Sequence, residues 1–181
     1  MKKIYTILYL ILICNFTMMG QDQFDFVDTS EWKSLEKDKY TVKYPETWSL
    51  QKGGYPGIEF LLMAPVSSAD DNFAENVNFL TQDLKGMDLN IDTYLELTLS
   101  QIGTLIENGN LISSERIQIK GRECHKLKYT GTQQSHELTF EQIFWIIDDV
   151  ANIITLTTLS DSYEEYKNIG NAIFESFLLR Y

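Results

Sequence analysis

The side chains able to move a proton or hold a metal are few in this chain. Its only histidines are His125 and His136, preceded by Cys124 and Ser135 respectively, and Glu123 stands two positions before His125. A thiol or hydroxyl beside an imidazole suggests a nucleophile with its base, which must lie within hydrogen-bond reach of one another. Cys124 and His125 fall in a run that reads as a strand, where adjacent side chains point to opposite faces and cannot share a proton. A buried, inert Cys124 is the expectation there. Ser135-His136 falls at the mouth of a hairpin, with no acidic residue placed to orient the ring. Glu123 and His125 share a strand face, but one carboxylate and one imidazole make only half a metal site. A surface ion pair is expected instead. Asp88-Leu89-Asn90-Ile91-Asp92 matches the first three ligand positions of a calcium loop, and then Thr93 occupies the glycine position and Leu99 that of the closing glutamate. Acidic residues favoured at the positive end of a helix explain that run. No glycine-rich phosphate loop occurs, so no catalytic residue, metal ligand or cofactor is assigned.

The candidate binding residues are Asn76, Asn78 and Gln82, which share one face of a strand with Leu80 while Val77 and Phe79 occupy the other. Carboxamides on a covered face must be hydrogen-bonded, and on an uncovered face they line a groove. Both uses remain open: tying down neighbouring loops, or contacting a ligand or partner. Trp32, Trp48 and Trp145 are expected as core or rim anchors.

The elements that position these residues follow from periodicity. Tyr40, Val42 and Tyr44 alternate with Thr41 and Lys43, the two-residue period of a half-buried strand. Pro45 ends it, and Trp48 with Leu50 begins the next. Gly53, Gly54, Pro56 and Gly57 mark a turn. From Ile58 to Ala64 both alternating sets are mainly apolar, predicting a strand at the centre of a sheet covered on both sides. Glu75 to Leu84 is the next strand. Ile91, Tyr94, Leu95, Thr98, Ile102, Leu105 and Ile106 recur at helical spacing, with Asn90 as the N-cap and Gly109 as a left-handed stop. Ile117 and Ile119 lie on an edge-type strand turning at Gly121, and three further strands cover about 122–131, 137–147 and 151–159. Asp161 and Glu164 are spaced as a capping box for a last helix carrying Tyr163, Tyr166, Gly170, Ile173 and Phe177.

Export is written at the start. Lys2 and Lys3 precede an uncharged run from Ile4 to Met19, and the chain turns polar at Gly20-Gln21-Asp22, the layout of a signal peptide cut between Gly20 and Gln21. Asn15 and Thr17 interrupt the run, and a spanning helix needs roughly 17 to 25 apolar residues. An uncleaved anchor is therefore a minor alternative. So is a lipoprotein at Cys14, because Ile13 stands where a small residue is required. The expected organisation is a signal peptide over 1–20, a polar lead-in over 21–30 and a single domain over 31–181. Of 15 basic side chains, removal of Lys2 and Lys3 leaves 13 against 26 acidic ones, a formal charge of −13. Such a chain repels nucleic acid and anionic membrane surfaces. Only Cys124 remains after processing, so packing rather than a disulfide must hold the fold.

Two helices among about seven strands predict an α+β fold: an α/β/α sandwich with a central, mainly antiparallel sheet of about six to seven strands flanked by two main helices. The order of signals resembles the PsbP-like superfamily. The matching residues are the Tyr44-Pro45 to Trp48 step, the apolar strand closing at Ala64-Pro65, Asn76-Val77-Asn78 and the helix from Ile91. The strand-turn at Gly121, Phe144-Trp145-Ile146, Thr155-Leu156-Thr157 and Ser176-Phe177 continue the match, which spans about residues 31–178. On this resemblance Tyr44, Pro45, Trp48 and Trp145 are fold anchors. It implies the same sandwich and, because the family acts chiefly in binding and assembly, little about activity. The leading expectation is an exported, non-enzymatic binding or assembly domain of the cell envelope acting through a protein partner. The alternative is a carrier of a small amphipathic or lipid-like ligand held between the sheet and the Ile91 helix, with a hydrolase third. An exposed apolar patch over a filled core marks the first, and a large apolar cavity marks the second.

Overall fold

A computed structural model describes residues 27–52, 57–66, 68 and 71–180. The expected signal peptide with its Gly20–Gln21 cut, most of the expected polar lead-in and the turn residues 53–56 lie outside the described residues. Strands β1 (Lys33–Glu36), β2 (Tyr40–Tyr44), β3 (Ser49–Gln51), β4 (Ile58–Met63) and β5 (Asn76–Asp83) lead to helix α1 (Ile91–Leu105). Strands β6 (Glu107–Ile119), β7 (Arg122–Gln133), β8 (His136–Ile147) and β9 (Val150–Leu159) follow, then helix α2 (Tyr163–Ser176) and strand β10 (Leu178–Leu179). Seven strands form one sheet in the order β3-β4-β5-β9-β8-β7-β6, and β1-β2-β10 form a smaller one. Every neighbouring pair is antiparallel.

The small sheet and α2 cover one face of the large sheet. Between them lie Val42, Trp48, Phe60, Val77, Phe79, Trp145, Ile154, Leu156, Phe174 and Phe177, all buried. The opposite face carries a second core in which Tyr94 and Ile102 of α1 meet Leu127, Phe144, Ala151 and Ile153. Alternation explains how one strand serves both: Ile154 and Leu156 point one way, Ile153 and Ala151 the other. Strands β6 to β9 form a meander closed by two-residue turns, Lys120-Gly121, Gln134-Ser135 and Asp148-Asp149, each with both residues at positive φ. That conformation matches the twist of the flanking strands.

Several expectations are corrected. The strand from Ile58 is not the central one: β4 lies second from the edge, with Phe60 and Leu62 buried and Leu61 and Met63 only half-buried. The strand with little exposure on either alternating set is β9, buried from Ala151 to Thr158. Its polar residues disguise it in the sequence: Asn152 bonds the Val150 carbonyl at 3.2 Å, while Thr155 and Thr157 are shielded by longer neighbours on β5 and β8. Helix α1 ends at Leu105, Ile106 is already extended, and Asn108 rather than Gly109 takes the left-handed conformation. Gly109 is needed for close approach instead, since a Cβ there would lie 2.0 Å from the Ile102 carbonyl oxygen. Asp161 does not cap α2. A 3-10 turn over Ser160–Ser162 moves the helix start to Tyr163, no side chain caps it, and Glu164 pairs with Lys167 instead. Asn90 does cap α1: its side chain accepts from the amides of Asp92 at 2.9 Å and Thr93 at 3.0 Å, while the Asn90 amide donates to Thr93 Oγ1.

Candidate functional site

Helix α1 is too short to cover its whole face of the large sheet, and the remainder is an open trough. The covered half ends where Tyr94 packs against Phe144 at 5.1 Å and its hydroxyl donates to Gln82 Oε1 at 3.0 Å. Gln82, itself exposed, is thereby tied to the helix. Asn76 and Asn78 lie beyond it, in a groove of about 510 Å³. The three carboxamides of the sequence stripe therefore do different work, because the helix separates them.

Strand register builds the groove. Asn76, Thr157, Phe140 and Tyr129 stand on one rung across four strands, and Asn78, Thr155, Gln142 and Leu127 form the next. Paired residues of antiparallel strands share a face, so each rung sets small threonines on β9 between longer neighbours. The result is a trough with a threonine floor, a carboxamide wall on β5 and a wall of Phe140 and Gln142 on β8. The Phe140 and Tyr129 rings stack with centroids 4.8 Å apart and planes 17° from parallel. Tyr129 donates its hydroxyl to Gln142 Oε1 at 3.3 Å, and burial pushes its pKa up to about 12, keeping it a donor. Asn76 Nδ2 donates to the Ala74 carbonyl at 3.1 Å. At the rim the Phe73 and His136 rings lie 5.6 Å apart.

The residues singled out for chemistry stay apart. Cys124 faces the α2 side, fully buried, with its pKa raised to about 11 by burial. His125 faces the α1 side, stacked 5.7 Å from Phe144. The expected Glu123–His125 pair does not form: Arg116, on the facing strand, takes both Glu123 and Asp92. His125 Nε2 instead meets Ser114 Oγ at 2.8 Å, and the buried Nδ1 has no partner among the described residues. A hydroxyl and imidazole with no orienting carboxylate lack the third member of a hydrolytic triad. Asn90 and Asp92 serve the helix cap and Arg116, which leaves the calcium-like run without its ligands.

His125 yields a pH prediction. Burial, then the Arg116 charge, lowers its pKa, and Asp92 only partly opposes them. The fold thus favours the neutral ring, so the stability it contributes is present above the unfolded value of about 6.5 and is lost as pH falls toward the folded value. The drop in urea midpoint between about pH 7 and pH 5 should be larger for the wild type than for His125→Gln. Parallel curves would refute this.

Residues missed from the sequence are Tyr129, Phe140, Gln142, Thr155 and Thr157. The alternation Leu138, Phe140, Gln142, Phe144 along one face of β8 marks them, because a carboxamide between aromatics needs a partner or water.

No family model matches the chain, and no curated protein matches it either. Solved structures do share its fold. Cyanobacterial PsbP (CyanoP) from Synechocystis sp. PCC 6803 is 16% identical, with a TM-score of 0.61 over 90% of this chain and 99% of that one. LpqN of Mycobacterium tuberculosis, described as involved in cell envelope biogenesis, is 14% identical, with a TM-score of 0.62 over 83% and 91%. A Pseudomonas aeruginosa protein of unknown function, PA94, described as a putative regulator, is 16% identical, with a TM-score of 0.58 over 83% and 99%. The fold is PsbP-like. Among the described residues no helix is long and apolar enough to cross a membrane.

Proposed function

We propose that this chain is an exported, non-enzymatic binding domain of the cell envelope, and that it receives its partner on the open half of the large sheet. The observation that carries the reading is the arrangement of Asn78, Thr155 and Thr157. They line the groove and form no side-chain hydrogen bond among the described residues, yet none is among the polar atoms sealed from solvent. Polar groups set in a concavity and left uncommitted are how binding sites obtain direction and specificity. The envelope context rests on the export signal in the sequence and on the description of LpqN, whose fold is shared. The carrier reading has less support, because Tyr94, Ile102, Leu127, Phe144 and Ile153 fill the space between α1 and the sheet. The hydrolase reading lacks an orienting group at Ser114–His125.

A protein partner docking elsewhere remains a second reading, favoured by Leu105, Leu111 and Ile112, all exposed at and beyond the end of α1. Retention of purified protein on isolated envelopes of the source organism separates the two. Asn78→Ala with Gln142→Ala should lower retention at least about tenfold, the effect of roughly 1.4 kcal/mol, while Leu105→Ser with Ile112→Ser should leave it unchanged. The reverse pattern would transfer the binding role to the apolar residues.

A further inference from the structure

We infer that the trough over β9 takes an uncharged, hydroxyl-rich ligand: a neutral saccharide laid along the strand. This rests on the binding role proposed above and names its chemical class. The first argument is charge. Among the described residues no lysine, arginine, aspartate or glutamate lines the groove. An anion would find no lysine or arginine there, only the His136 ring at the rim, and would meet the field of a strongly acidic chain. A cation would find no carboxylate.

The second argument is hydrogen-bond type. A sugar hydroxyl donates and accepts at once, and a carboxamide offers both roles at neighbouring atoms, as does a threonine hydroxyl. Asn78, Thr155 and Thr157 are uncommitted. Asn76 retains its acceptor oxygen and Gln142 its two amide donors, since only Asn76 Nδ2 and Gln142 Oε1 are engaged.

The third argument is shape. Stacking at 17° uses one face of the Phe140 ring against Tyr129, its neighbour on β7. The stacking direction therefore runs across the strands, and the second ring face looks over Thr157 toward Asn76. A flat aromatic face beside a row of hydroxyls and amides suits a pyranose, whose axial C–H groups pack on the ring while its equatorial hydroxyls reach the polar walls. The volume, about 510 Å³, falls within the roughly 300 to 1,000 Å³ usual for ligand sites. A trough open along its length admits a chain of sugars as well as one.

The test is a titration of the purified protein with maltotriose, cellotriose and N-acetylglucosamine trimer, each to about 10 mM to cover Kd values of order 1 mM. Amide resonances of the chain and of its side-chain carboxamides report the site. At least one sugar should shift Asn76, Asn78 and Gln142, whereas galacturonic acid trimer should not. Phe140→Ala should weaken that sugar at least about tenfold. Thr157→Val, which keeps the shape and removes one hydroxyl, should weaken it with the fold intact. No shift from any of the three sugars, or shifts confined to other surfaces, overturns the inference. If the sugars fail while the groove substitutions still release the protein from envelopes, the saccharide class falls and the binding role stands. If both fail, both fall.

Discussion

Phe177→Ala should remove about 3–5 kcal/mol of stability, a large share of the roughly 5–15 kcal/mol that holds a domain folded. Phe177 follows α2 directly, and its amide donates to the carbonyls of Ile173 and Phe174, each at 3.1 Å, which holds the ring over the large sheet. There it meets Phe79 at 4.7 Å, Trp145 at 5.8 Å, Tyr40 at 6.0 Å and Phe60 at 6.5 Å between centroids. Those four rings come from the small sheet and from β4, β5 and β8. Truncation would open a cavity bordered by four rigid strands, which have little freedom to collapse. A loss of less than about 1.5 kcal/mol, taken as the shift in urea midpoint times an unchanged slope, would show that the ring is dispensable.

The second large effect is electrostatic. Glu141 has a side chain only 2% exposed and is held by Lys126 and by the Tyr163 hydroxyl, which donates to Oε2 at 2.7 Å. Lys126→Met leaves that carboxylate buried without its cation and should destabilise by about 3 kcal/mol, the lower end of the usual range because Tyr163 and some solvent remain. Adding Glu141→Gln should recover most of the loss, since the desolvated charge is then gone. A double-mutant cycle in which the two losses simply add would show that the pair is not coupled.

The two effects differ in how far they could be seen in the sequence. Phe177 sits in a repeating apolar pattern, and local pattern is what a single sequence displays. The Tyr40 strand, the Asn90 cap and the hairpins after residue 110 were legible for the same reason. Glu141 was not, because Lys126 and Tyr163 reach it from a neighbouring strand and a helix, and spacing along the chain does not encode those distances. Arg116 misled in the same way by taking Glu123 from across the hairpin. At the groove, Asn76 and Asn78 stood out as carboxamides alternating with Val77 and Phe79. Their partners Thr155, Thr157 and Phe140 lie on strands that join β5 only after α1 and the β6 to β8 hairpins intervene. Residues on one rung can be far apart in sequence, so one wall of the site was readable and the other was not. Gly109 shows a further limit: its type was informative, but close packing against Ile102 rather than φ was the reason.

The small sheet sets the order in which a growing chain can mature. Strand β2 lies between β1, just before it, and β10, which follows every other strand, and Arg180 adds an amide bond to the Lys39 carbonyl at 2.7 Å. The β6–β9 meander consists of local pairings and can form once residue 159 has emerged from the ribosome or a translocation channel. Closure over Tyr40 and Val42 must wait for residue 180. A nascent chain stalled between those points would hold a finished meander and a greasy, uncovered flank, exposed until β10 arrives to pair with β2.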